Sequence, residues 1–175
     1  MSLALVPVAG ADVPRLHAML LALARSDGVA DVRTTEAALH AALFAAPPLA
    51  VAHFICRDGA VAGFTLHTWK WGTFTGVRDL YLNALYVAPA HRRAGVARGA
   101  MAALARLAIA EGCSRIEWLT VAANADTAAF YDVIGSTAAS HMAVRRLQGD
   151  ALHALVRRPA AEAELTGVPA AGDAL

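Results

Sequence analysis

One run, residues 80–97, constrains this chain more than any other part of it. Large apolar residues alternate through Leu80-Tyr-Leu-Asn-Ala-Leu-Tyr-Val87, the period of a half-buried strand. Pro89 opens a turn, and Arg92-Arg93-Ala94-Gly95 follows as a loop. Val96, Ala100, Met101, Leu104, Leu107 and Ala108 then repeat at helical spacing. A strand feeding a glycine-bearing loop at a helix start is suited to holding phosphate. The first N–H groups of a helix have no intrahelical acceptor, and the helix dipole adds partial positive charge there. Arg92, Arg93 and Arg98 add full charges around the same point. Gly95 lacks a Cβ, so it tolerates positive φ and the close approach of a ligand.

The rest of the chain sets bounds. At 175 residues it is long enough for one domain with a sizeable core. Its mean hydropathy is +0.48, but much of the apolar content is alanine, which favours helices and tight packing over a membrane span. The apolar stretch 16–24 contains His17 and is too short to cross a bilayer. No basic segment followed by an apolar one opens the chain, so a cytoplasmic location is expected. A net charge of +1 gives no reason to expect nucleic acid. Cys56 and Cys113 are far apart without metal-ligand spacing and read as reduced thiols. No Gly-x-x-x-x-Gly-Lys-Ser/Thr run occurs, which argues against a P-loop nucleotide enzyme.

The pattern predicts a strand over 3–8, then a helix capped by Asp12 with Pro14 in its first turn and Leu16, Met19, Leu20 and Leu23 as its apolar stripe. Ser26-Asp27-Gly28 ends that helix. A second helix starts at Thr34 or Thr35 and stops at Pro47-Pro48. Strands follow over 49–56 and 60–69, joined by Arg57-Asp58-Gly59, with a loop over 70–77 and the strand 79–87. Glu111-Gly112 closes the helix after the loop, and 114–121 is a further strand. A short helix spans 124–134, two last strands lie near 141–147 and 151–156, and residues 157–175 read as a mobile tail. Such alternation of strands and helices makes an α/β or α+β layer around a mixed sheet.

Arg92, Gly95 and Ala97 fit the phosphate loop Gln/Arg-x-x-Gly-x-Gly/Ala, with Tyr86-Val87-x-Pro89 before it and Asn124 and Ala129-Phe130-Tyr131 beyond it. In these features the chain resembles the GNAT superfamily of N-acetyltransferases, and over 73–156 it is most similar to the diamine acetyltransferase group. The resemblance implies a single domain over 1–156, with a mixed, mostly antiparallel, twisted sheet of about six or seven strands and about four helices. It implies acetyl-CoA as cosubstrate, no metal, a small-molecule amine acceptor and a homodimer. Leu85, Tyr86 and Val87 would pair with the pantetheine arm, and the loop Arg92, Arg93, Ala94, Gly95, Val96, Ala97 with Arg98 would hold the pyrophosphate. Asn124 would contact the arm, and Tyr131 would protonate the leaving thiolate; the alternative for Tyr131 is a packing aromatic.

The chain departs from that group at Asn83-Ala84, where diamine acetyltransferases carry two adjacent acids. Asn83 cannot take a proton, although it can hydrogen-bond an amine or a relay water. Glu117 and His67 are the candidate replacement bases, with His141 and His153 weaker. Each also reads as an ordinary strand-surface or core-edge residue. Trp69, Trp71, Phe74 and Tyr81 gather near the central strand, as an acceptor-pocket wall or as packing. Two other functions remain open: a non-catalytic acyl-CoA-binding regulator on the same fold, and a protein or peptide N-acetyltransferase.

Overall fold

The computed structural model describes residues 2–121, 124–140 and 142–157. The chain forms two compact units, Met1–Ser136 and Thr137–Leu175. The first unit runs β1 (Leu3–Pro7), α1 (Val13–Ser26), α2 (Glu36–Phe44), β2 (Val51–Arg57), β3 (Ala60–Trp71), β4 (Arg78–Val87), α3 (Val96–Ala110), β5 (Ile116–Trp118) and α4 (Ala125–Val133). The second contains α5 (Asp150–Arg157). Among the described residues, no helix is long and apolar enough to cross a membrane.

One five-stranded sheet has the order β1-β2-β3-β4-β5. Its first three pairings are antiparallel and the fourth, β4 with β5, is parallel. The fold is therefore the expected α+β layer around a mixed, mostly antiparallel sheet, with five strands among the described residues. Of the two last strands expected, the one over 151–156 is a helix. Leu152, Leu155 and Val156 repeat at helical spacing, Ala151 and Ala154 favour helix, and Asp150 suits a first turn. Residues 142–148 form no strand. His141 and the tail 158–175 lie outside the described residues.

Local chemistry explains most element ends. Thr35 caps α2, its hydroxyl accepting from the Ala38 N–H at 3.1 Å. Asp12 precedes α1 but makes no side-chain cap. A short 3₁₀ turn over Gly10–Asp12 comes first, and the carboxylate reaches back to the Ala9 N–H at 3.4 Å. The predicted stripe of α1 is buried on the sheet: Leu16, Met19, Leu20 and Leu23 pack with Phe54, Phe64 and Tyr86. Strand alternation sends the neighbouring residues to the other face, which α3 covers. There Leu80 and Leu82 meet Met101, Leu104 and Ala108, while Ile55 and Ala62 meet Val96 and Ala100.

His53, Thr65 and His67 form a polar group on adjacent strands. His53 lies opposite Thr65, and its ring stacks on that of His67 at 5.8 Å. His67 is fully buried, and neither ring nitrogen has a hydrogen-bond partner among the described residues. Burial, then the neighbouring His53, lowers its pKa from 6.5 to about 4. Between those values the unfolded chain binds the proton and the folded chain does not. Stability is therefore complete above pH 6.5 and declines as pH falls toward 4. Urea midpoints measured across this window will drop on acidification, and His67→Leu will flatten the drop.

Candidate active site

Strands β4 and β5 pair over three positions only: Leu80 with Ile116, Tyr81 with Glu117, and Leu82 with Trp118. Immediately after, Asn83 is an extra residue on β4, because the register to β3 passes from His67↔Leu82 to Leu66↔Ala84. A bulge of this kind bends its strand and increases the local twist. Beyond it a cleft of about 900 Å³ lies between residues 83–87 of β4 and residues 119–121 after β5. The end of α1, the loop before α3 and one face of α4 complete its lining.

The loop at the start of α3 has two residues in the left-handed region, Arg93 at φ +57° and Gly95 at φ +76°. A Cβ on Gly95 would meet nothing within 4 Å, so the approach to its backbone is open. Arg92 is exposed at the tip, yet its Nε donates to the Val87 carbonyl at 2.9 Å and its guanidinium sits 6.0 Å over the Tyr86 ring. That pairing ties the loop to the end of β4. The exposed cations, the free α3 N-terminus and the kinked backbone fit a polyanionic group such as the diphosphate of a coenzyme. Among the described residues, no group of three or more His, Cys, Asp or Glu side chains is placed to hold a metal.

Tyr131 lies on the cleft side of α4, half-buried, with its ring 4.7 Å from Trp118 and 5.1 Å from Phe130. Burial and then the charge of Asp27 raise its pKa above the usual phenol value of 10. Asn124 caps α4, its side chain accepting from the Thr127 N–H at 3.1 Å. The cap holds the first turn of α4 against the cleft.

Nearly every residue expected from sequence lines this cleft: Asn83, Leu85, Tyr86, Val87, Arg92, Arg93, Gly95, Val96, Ala97, Arg98, Asn124 and Tyr131. Ala94 and Glu117 do not. Glu117 is held by Lys70 and by Arg115, whose Nε is 2.9 Å away. His67 is sealed in the core and also lies off the cleft. None of the gathered aromatics Trp69, Trp71, Phe74 and Tyr81 lines this cleft. Trp69 packs in the α3-side core, and Phe74 is fully exposed on the β3–β4 turn. That turn precedes Arg78, the end of β4 away from the cleft.

Ser26, Asp27 and Asp126 were missed by sequence reasoning. All three line the cleft, and they also share an adjoining hollow with Val121 and Asn124. Ser26-Asp27 reads in sequence only as a helix end, and Asp126 only as a first-turn acid. No linear spacing announces that 26–27 and 124–131 meet across the sheet.

The acetyltransferase (GNAT) family model matches residues 17–135. The chain belongs to the GNAT family. An L-ornithine N5-acetyltransferase of Arabidopsis thaliana is 30% identical over 57% of this chain, a match that spans 43% of its own length. A thialysine N-epsilon-acetyltransferase of Bos taurus is 26% identical over 82% of this chain and 91% of its own. Among solved structures, an integron cassette protein of V. cholerae superposes with a TM-score of 0.74, at 23% identity, over 90% of this chain and 99% of its own. An aminoglycoside N-acetyltransferase solved in complex with CoA gives 0.64, at 17% identity, over 83% and 94%. These two likenesses are of fold.

In this GNAT chain, Gly95 offers the sharpest test of the loop. A β-branched side chain at φ +76° is strained and covers the open backbone. Gly95→Val will weaken CoA binding about tenfold or more, as measured by calorimetry; an unchanged affinity would mean the loop is not the phosphate site.

Proposed function

We propose that this protein is an acetyl-CoA-dependent N-acetyltransferase that acetylates a primary amine of a small molecule by direct attack in a ternary complex. The observation that carries the reading is the convergence of Tyr131 and the left-handed loop before α3 on one cleft at the β4 bulge. A cytoplasmic homodimer, implied by the family resemblance, belongs to the same proposal.

When bound, acetyl-CoA supplies a thioester whose carbonyl carbon accepts the amine and whose thiolate departs. The chain's part is binding, orientation and proton handling. The loop N–H groups, with Arg93 and Arg98, hold the diphosphate, while Arg92 is already engaged with Val87. The backbone of 85–87, turned away from β5 by the bulge, offers donors and acceptors to the amide-bearing arm. Tyr131 keeps its proton at Oη until the thiolate leaves. Its raised pKa ensures that the proton is present wherever some of the amine is neutral.

Asn83 cannot act as a base, and Glu117 and His67 lie off the cleft. The carboxylates that do face it, Asp27 from α1 and Asp126 from α4, receive the positive charge of the acceptor. Asn83 orients the amine or a water at the bulge. An amine carrying a second polar or cationic group is the acceptor this lining suits, in keeping with the ornithine and thialysine named for the relatives.

Thiol release from acetyl-CoA against diamines, basic amino acids, aminoglycosides and aromatic amines tests the proposal. Turnover with one class supports it; tight CoA binding without turnover on any amine would favour the regulatory reading. Tyr131→Phe will lower kcat by about 10²-fold with little change in CoA affinity, the size of a lost general acid. Asp27→Asn removes a negative charge that opposes phenolate formation. It will move the alkaline limb of the kcat profile to lower pH and raise KM for the amine, while KM for acetyl-CoA stays fixed.

A further inference from the structure

The closed end of the β4–β5 fork holds a buried charge that the reaction above does not use. Asp79, fully buried, immediately precedes the three paired positions. Its Oδ1 accepts from Ser114 Oγ at 2.6 Å, and its Oδ2 lies 3.1 Å from Arg115 Nε. Between them, the Leu80 N–H donates to the Arg115 carbonyl at 3.2 Å. Arg115 also meets Glu117 at 2.9 Å, and Glu117 binds Lys70 of β3. Beside Asp79, Arg78 stacks 4.9 Å over the Trp69 ring and donates to Glu111, just past the end of α3, at 2.9 Å. None of these residues lines the cleft.

A fully buried carboxylate deprived of its cation is strongly destabilising. Strand β5 therefore cannot shift along or away from β4 without stranding Asp79. The backbone ladder that would otherwise hold β5 is only three residues long, so side chains must supply much of its attachment. Those three residues, roughly 10 Å of strand, separate the ion pair from the start of the cleft. On the other strand, the wall residues 119–121 follow directly from Trp118. A displacement at Arg115 is thus carried along a short rigid segment to the cleft wall.

We infer that Asp79 and Arg115 are positioning residues for the acyl donor: the ion pair of buried Asp79 with half-exposed Arg115 clamps the closed end of the fork and so sets the spacing of the cleft walls that hold acetyl-CoA. The inference rests on the proposed function, and its test separates the two. Calorimetry with CoA is run on the full chain, on Asp79→Asn, on Arg115→Met and on the double variant. Each single variant should weaken binding about tenfold, and the double should be no weaker than the weaker single, the non-additivity of one shared interaction. With an acetylatable amine, KM for acetyl-CoA should rise in step while kcat at saturation stays within about twofold.

Leu39→Ala, a core loss on α2 away from the cleft, is the control. At a matched drop in Tm it should leave CoA affinity unchanged; equal weakening would show mere loosening and overturn the clamp. Cys113 supplies a ligand-free readout, because burial and then the charge of Asp79 raise its thiol pKa. In a Cys56→Ser background, Asp79→Asn should move the pH profile of Cys113 alkylation to lower pH, and an unmoved profile would place Asp79 elsewhere in solution. If Asp79→Asn does not fold, Arg115→Met, at a half-exposed site, decides alone. Wild-type protein that fails to bind CoA overturns the donor-cleft reading itself. Wild-type binding with unaltered variants overturns only the clamp.

Discussion

The cleft of this molecule depends on β4 being held by β5 for three residues and then released. A sheet normally satisfies its backbone groups by continuous pairing, and a cleft between its last two strands leaves donors and acceptors open. Asn83 makes the opening possible: one residue without a β3 partner changes the direction of β4 while leaving the β3 ladder intact on either side. The edge of 85–87 thereby becomes available to a ligand. Sequence feeds this directly, because the same strand runs through Pro89 into the loop and α3. A single continuous segment supplies the open strand edge, the left-handed loop and the helix N-terminus that the proposed function assigns to the donor.

The arrangement of charge follows the same division. Cations collect where β4 hands over to α3, and Arg92 braces the loop by bonding to the carbonyl of Val87, the last residue of β4. Carboxylates collect at the opposite element ends, Asp27 after α1 and Asp126 at the start of α4. In the proposed reaction a polyanionic donor and a cationic acceptor are thus drawn to different residues of one cleft, and Tyr131 keeps its phenol protonated in the acidic part. The charge of Asp27, which adds to burial in keeping the phenol protonated, is also the one the proposal uses to attract an amine. One carboxylate serves both roles because each requires proximity and neither requires it to change protonation state.

Legibility in the sequence was uneven, for physical reasons. The run 80–97 was readable because its chemistry is contiguous: alternation, Pro89, Gly95 and the α3 stripe are local signals, and all but Ala94 of the residues expected there line the cleft. Helix α1 and the β2–β3 hairpin were readable for the same reason. The acceptor side was not. Asp27 and Asp126 are about a hundred positions apart, and only the topology brings both to one hollow. Glu117 misled because strand position identifies a neighbour without saying where its side chain is spent; here it is spent on Lys70 and Arg115. His67 misled because a polar residue on a strand reads as half-exposed, whereas here it is fully buried beside the rings of His53 and Trp69. The segment 151–156 reads as a strand because the short apolar run Ala151, Leu152, Ala154, Leu155 and Val156 is too brief for its period to separate strand from helix.

The substitution of Asn83 and Ala84 for paired acids then takes on a definite meaning. Two carboxylates on the bulge would line the cleft itself, and in the proposed reaction they would oppose the negative charge that develops on the departing sulfur. Placing the acid instead at the end of α1 moves that charge off the strand while leaving it within electrostatic reach of Tyr131. A carboxylate there can still bind a cationic acceptor through a non-reacting group, but it is less suited to stripping a proton from the attacking nitrogen itself. Such a site works best with an amine that arrives partly neutral, and its rate should follow the acceptor's own pKa. Under the proposed function the acceptor is therefore selected twice, by charge at Asp27 and by basicity at the nitrogen, and an amine of moderate pKa with a second cationic or polar group meets both conditions.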